Sequence, residues 1–199
     1  MAAETGPARP ARDAARTRRR ILAAATDEFA AFGLAGGRTA RIAEAAAANQ
    51  RMLYAYFGNK DGLFDAVIEH HVLQAQDSVG FDATDLPGYA VEVFDFYRGH
   101  PHLVRLALWQ TLERPDLMRT LPLVVRAMRD KAEAVAEAQT AGLVSTVLPA
   151  DRLLDTVLTL AHGSITAAGN AADWTDTQRE DLHAAVLRLV TPPARLTGG

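Results

Sequence analysis

Gln50, Arg51 and Tyr54 form a short polar cluster, and Lys60 follows six residues after Tyr54. An amide and a guanidinium are side-chain forks that pair with base edges in a DNA major groove. A phenol and an ammonium suit phosphate oxygens, which fix register without reading sequence. Arg38, Thr39, Asn49 and Tyr56 share the same stretch and complete the candidate DNA-contact set. On residue types alone a second reading stays open, a plain three-helix surface cluster whose polar side chains are merely solvated.

Positioning such a cluster takes two short helices and a tight turn. Ile42, Ala43 and Ala46 give one apolar face of a first helix, starting near Gly37 or Thr39. Arg38 sits where a capping hydroxyl would be expected. Asn49 predicts the N-cap of a second helix running to about Phe57. Leu53 and Phe57, four apart, point inward together, which turns Gln50, Arg51 and Tyr54 outward. Gly58-Asn59 breaks that helix, and Asn59 caps the next. Upstream, Ile21, Ala25, Phe29 and Phe32 make a helical core stripe ended by Gly33.

These residues carry a resemblance. Ile21-Leu22-Ala23-Ala24-Ala25, Phe29, Phe32-Gly33, Ile42-Ala43 and above all LYAYFGNKDGLF from Leu53 to Phe64 resemble the N-terminal domain of the TetR family of transcriptional regulators. The likeness spans about residues 17–70. Three positions depart from the family pattern: Ala47 replaces a turn glycine, Arg51 a small residue, and Ala55 a frequent second Tyr. The first costs about 1 kcal/mol if that residue needs positive φ.

Charge and composition agree with a reader joined to a body. Residues 1–60 carry ten Arg or Lys and five Asp or Glu, whereas 61–199 carry eleven and nineteen. A basic segment followed by an acidic one is expected where a small domain meets phosphates and a larger one does not. Part of that basic charge lies in residues 1–15, an aperiodic Ala/Pro/Gly/Arg segment that reads as a disordered arm. Arg16, Arg18, Arg19 and Arg20 are either solvated or touch backbone or minor groove. Aromatic residues make up 7% and Ala dominates the apolar fraction, which favours helices over sheets. With no cysteine there is no disulfide framework and no thiolate chemistry. No apolar run reaches the ~20 residues of a membrane span. No secretory leader is evident, so a cytoplasmic protein is expected, with no cofactor.

The expected architecture is all-α, about nine helices: an arm over 1–15, a helix-turn-helix domain over 16–62 and a larger helical domain over 63–199. A long helix from Lys60 to about Ser78 is followed by a loop over 79–88. Further helices run over about 86–99, 101–113, 120–141 and 149–168. Residues 143–148 are a loop or a helix extension. A last helix opens on the capping box Thr175-Asp176-Thr177-Gln178 and stops at Pro192-Pro193. His70-His71, about 100° apart on a helix, make a poor metal chelate.

The last two helices have broad apolar faces. Leu154, Val157, Leu158, Ala161 and Ile165 on one, and Leu182, Val186 and Leu189 on the other, are core residues or a dimer interface. The TetR resemblance implies the latter, a four-helix bundle with a second subunit. A homodimer also follows from the need to read two half-sites about 34–36 Å apart. The resemblance further implies a small-molecule cavity in the body. Phe94, Tyr97, Leu106, Trp109, Met128 and His162 are its candidate lining for an effector that is largely hydrophobic, although each alone reads equally as core. The implied function is a regulator of a palindromic double-stranded DNA operator, most simply a repressor released by ligand, with activation as the alternative. An enzyme is disfavoured, since there is no phosphate loop, nucleophile elbow or His-x-x-x-His pair. A helical interaction protein that never meets DNA fits the basic N-terminal third poorly.

Overall fold

Ala-rich stretches punctuated by Asn, Gly and Pro fold into helices throughout the computed structural model, which describes residues 9–167 and 174–193, with side chains from 13 to 163 and from 174 to 193. Ten helices lie in the described residues: α1 Arg9–Gly36, α2 Thr39–Ala45, α3 Gln50–Phe57, α4 Lys60–Ser78, α5 Leu86–Gly99, α6 Pro101–Glu113, α7 Leu117–Thr120, α8 Pro122–Thr140, α9 Ala150–Ala167 and α10 Asp176–Val190. Helix α1 begins at Arg9, so residues 9–15, expected to be an aperiodic arm, extend it upstream. Their Ala and Arg are strong helix formers, and propensity wins over the lack of an apolar stripe. Segment 143–148 is a loop, tied by the Ser145 N–H to the Val190 carbonyl at 2.8 Å.

The chain packs as two units. The first runs to His70 and includes Arg105–Leu117; the second holds His71–Val104 and the chain from Met118 on. In the first, Ile21, Ala25 and Phe29 of α1 close over Ile42, Leu53, Leu63, Phe64 and Val67, all fully or nearly fully buried. Phe29 and Phe64 meet edge to face at 5.2 Å. Phe32 departs from the expected stripe and is 50% exposed. The helical run breaks at Gly33 (φ 69°), and the Phe32 ring is covered instead by the Arg41 guanidinium, 4.5 Å from its centroid. Gly33 is needed twice: its φ is left-handed, and a Cβ there would collide with Trp109. The C-terminal half of α6 finishes this end of α1. Arg105 donates to the Ala31 carbonyl at 3.2 Å, and the Glu113 carboxylate accepts from the Leu34 and Ala35 N–H groups. Arg114 bonds Asp61 and Asp65 of α4.

In the second unit α5 packs against α9 and α10, and α8 against α9. Its core takes Phe94, Val135, Leu153, Leu154, Val157, Ala161, Leu182 and Val186. This corrects five of the eight residues expected in a dimer face. Leu154, Val157, Ala161, Leu182 and Val186 are buried within their own chain, so they offer a second subunit nothing. An amphipathic helix buries its most continuous apolar stripe first, and α5 supplies the partner. Leu158 and Leu189 are half-buried at the margin of that stripe. The Ile165 side chain lies outside the described residues. The last helix opens as expected, with Thr175 and Gln178 forming a reciprocal capping box.

Candidate nucleic-acid interface

The turn between α2 and α3 sets the geometry of the cluster. Helix α2 ends in a Schellman motif: the Ala48 N–H donates to the Ala43 carbonyl at 2.9 Å and the Ala47 N–H to the Glu44 carbonyl at 3.0 Å. That motif puts Ala47 at φ 46°, the one positive-φ residue other than glycine among the described residues. A Cβ in this region costs about 1 kcal/mol relative to glycine. Arg20 of α1 donates to the Ala47 carbonyl at 2.9 Å. Asn49 then caps α3, its side chain accepting from the Met52 N–H at 2.8 Å. Gly58 (φ 77°) ends α3, and Asn59 caps α4 through the Gly62 N–H at 2.7 Å.

Between these stops α3 buries Leu53 and leaves Gln50, Arg51 and Tyr54 exposed. Phe57, expected inward beside Leu53, is half-buried, with the Arg18 guanidinium 5.2 Å from its ring centroid. Thr39, Gln50 and Tyr54 are brought together. The Thr39 hydroxyl and the Tyr54 phenol share a hydrogen bond of 3.1 Å, and the Gln50 amide donates weakly to Thr39 at 3.5 Å. Arg51 has no hydrogen-bond or ion-pair partner among the described residues. Arg38 is exposed at the N-cap of α2 and makes no side-chain cap. Its backbone N–H donates to Glu28 at 2.7 Å. Tyr56 is half-buried, its ring edge to face with Phe57 at 6.2 Å. Lys60 donates to the Ala35 carbonyl at 3.1 Å, which leaves two ammonium protons for other acceptors.

Two side chains that sequence reasoning missed hold this platform. Arg20 is one; the run Arg18-Arg19-Arg20 suggested an arm, and nothing local reveals a bond to a carbonyl 27 residues away. Glu28 is the other, buried and bonded by the Arg41 guanidinium through Nε at 2.9 Å. Burial pushes the Glu28 carboxyl up. Hydrogen bonds from Arg41 and the Arg38 N–H, with the charges of both arginines, outweigh that and hold it below the usual carboxylate range. The i, i+13 spacing of Glu28 and Arg41 gives no helical signal that would pair them.

The effector candidates divide between the units. Tyr97 and His162 meet edge to face at 5.2 Å, and burial pushes the Tyr97 hydroxyl up. Phe94 is fully buried, 6.5 Å from the Trp174 ring. Met128 is half-buried on α8. Leu106 and Trp109 do not join them; both belong to the first unit, where Leu106 is core and Trp109 lies over Gly33. A polar feature absent from the sequence reading sits in the second unit. Lys131 donates to the Tyr89 hydroxyl at 2.9 Å, with its ammonium 5.2 and 4.8 Å from the Phe81 and Tyr89 ring centroids. Among the described residues no three ligand side chains are grouped to hold a metal ion, and no helix is long and apolar enough to cross a membrane.

A short capped helix held outward by a tight turn is the arrangement of a DNA reader, and the comparisons identify which one. Residues 21–67 match the family described as bacterial regulatory proteins, tetR family, and residues 85–191 match the tetracyclin repressor-like C-terminal domain. The chain belongs to the TetR family of transcriptional regulators. The HTH-type transcriptional repressor SCO4008 of Streptomyces coelicolor is 34% identical over 90% of this chain and 98% of its own length. The HTH-type transcriptional repressor NicS of Pseudomonas putida is 37% identical over 52% of each. Among solved structures, the transcriptional regulator SCO4942 from Streptomyces coelicolor superposes with a TM-score of 0.73 at 31% identity, covering 87% of this chain and 98% of that one. A TetR-type regulator is a DNA-binding transcriptional regulator, not an enzyme, and its helix-turn-helix lies in the matched segment 21–67.

Proposed function

We propose that this TetR-family protein is a repressor that binds a palindromic operator as a homodimer and is released by a small, largely hydrophobic effector. The observation that carries the reading is α3, capped at Asn49 and stopped at Gly58, with Gln50, Arg51 and Tyr54 facing out. Arg51 is assigned to a guanine edge and Gln50 to an adenine edge. Arg38, Thr39, Tyr54, Tyr56 and Lys60 are assigned to phosphates, and Asn49 to the cap and an adjoining phosphate. The relatives SCO4008 and NicS, both HTH-type transcriptional repressors, support the sign.

The dimer uses the outward margins of α9 and α10, where Leu160 and Leu187 are exposed and Leu158 and Leu189 half-buried. The effector is assigned to the second unit around Phe94, Tyr97, Met128 and His162. It shifts the population toward a form that no longer fits adjacent grooves. A tenfold loss of operator affinity needs only ~1.4 kcal/mol of differential binding.

Operator selection from random duplexes tests the core of this reading. A twofold-symmetric site is expected, and recovery of no shared sequence overturns it. On the selected site, Arg51→Ala should relax preference at one position per half-site, losing about 1–3 kcal/mol of discrimination. Lys60→Ala should weaken all duplexes alike and lower the salt slope by about one unit per protomer.

A further inference from the structure

Helix α1 grips both ends of α3. Arg18 stands over Phe57 at the last residue of α3, 5.2 Å from the ring centroid. Arg20 donates to the Ala47 carbonyl at 2.9 Å, two residues before the Asn49 cap. Ala47 is the strained point of the turn, held at φ 46° where its Cβ is unwelcome. Its N–H and that of Ala48 are committed to the end of α2, and its carbonyl is committed to Arg20. The peptide after Ala47 is the hinge through which α3 leaves α2. Its orientation sets where Gln50 and Arg51 point. A turn glycine would hold the left-handed conformation without help. This chain has alanine there and supplies a guanidinium from another helix.

We propose that Arg20 is a positioning residue of the DNA reader. Its bond to the Ala47 carbonyl holds the left-handed turn closed, so that α3 is presented at one angle. The proposal rests on the DNA-binding reading and deepens it: base discrimination depends on an arginine that contacts neither base nor phosphate. The rival role for an exposed arginine beside a DNA reader is a phosphate contact, and the two roles have opposite signatures. A phosphate contact adds affinity for every duplex and one unit of salt slope. A positioning bond adds affinity only for the matched site and leaves the slope alone.

The test uses full-length wild type, Arg20→Ala, Ala47→Gly and the double variant. Binding to the selected operator and to an unrelated duplex is read by fluorescence anisotropy at several salt concentrations. Arg20→Ala should weaken the operator about fivefold, the scale of one hydrogen bond, with an unchanged salt slope and an unchanged unrelated duplex. Ala47→Gly added to it should restore the operator to within about twofold, because glycine relieves what Arg20 holds. A slope lower by about one unit per protomer, with no rescue by glycine, overturns the proposal in favour of a phosphate contact. Unchanged operator affinity in Arg20→Ala overturns it as well. Amide exchange without DNA provides a separate readout. Exchange at Ala48 should quicken in Arg20→Ala and slow again in the double variant, and no change there overturns the proposal. Should wild type prefer no duplex, the DNA-binding reading fails by itself while the exchange result still decides the role of Arg20.

Discussion

At the residue scale, buried or strained groups of the first unit are settled by bonds from distant residues. Glu28 is the clearest case. Its side chain is largely buried, where an unpaired charge would be costly. It accepts from Arg41 and from the Arg38 N–H at the entrance to α2. Its folded pKa lies below the ordinary carboxylate range. The unfolded chain therefore binds the proton more readily, and the stabilisation is complete above about 4.5 and lost as pH falls through the folded pKa. Glu28→Gln should cost about 1 kcal/mol at pH 7, a figure already reduced because Arg41 is partly solvated. Denaturant melts from pH 7 to pH 3 should show the two proteins converging at the acid end. A constant gap across that range would mean that the carboxylate charge is not what Glu28 contributes. None of this was legible in the sequence, because a pair thirteen apart belongs to no helical period. The cost at Ala47 was legible, since a family glycine had been replaced and the turn type implied its φ. The arginine that answers that cost was not, because Arg20 stands in a basic run that reads as a tail.

At the element scale, what could be read were the ends of helices. Asn49, Asn59 and the Thr175–Gln178 box act through bonds to backbone groups three residues away, so sequence neighbours suffice to predict them. Faces were harder. The α9 and α10 stripes were read as turned toward a second subunit, but α5 takes them. Phe32 was read as core, but the chain turns at Gly33 and Arg41 covers the ring. Leu106 and Trp109 were grouped with Phe94 by bulk alone, although α6 contributes to both units. Periodicity shows that a face is apolar, not which neighbour claims it. The caps also differ in consequence. Helix α3 spans eight residues, too short to stand without its ends fixed. Asn49→Ala should cost about 1 kcal/mol and fray the turn that carries Gln50 and Arg51, so operator affinity falls with stability. Thr175→Ala should cost a similar amount in α10 and leave operator affinity unchanged. Thermal melts paired with anisotropy would separate them, and equal losses of DNA binding would show that α3 does not depend on its own cap.

For the whole molecule, the contrast between a basic first sixty residues and an acidic remainder limits how DNA can be held. With eleven Arg or Lys against nineteen Asp or Glu, the chain after residue 60 has little to offer phosphates. One α3 reads only a few base pairs, which is why the proposed operator binding calls on a second copy. Five of the eight residues first assigned to that contact are buried inside the chain, which turns attention to the exposed leucines beside them. Leu187 is 47% exposed on α10, and Leu160 is 37% exposed on α9. Exposed leucines scattered singly need no explanation, but a pair on the two helices that close the second unit can be shared by a twofold axis. Leu187→Asp leaves Leu182 and Val186 in place and should alter the stability of one chain by no more than about 0.5 kcal/mol. In a dimer it would bring two carboxylates together in an apolar contact, a cost of several kcal/mol. Sedimentation at micromolar concentration should then show wild type as a dimer and Leu187→Asp as a folded monomer, with operator binding reduced at least about a hundredfold. A variant that stays dimeric and keeps its operator would place the twofold axis elsewhere on the second unit. A monomeric wild type that still binds a symmetric site tightly would remove the dimer from the mechanism altogether.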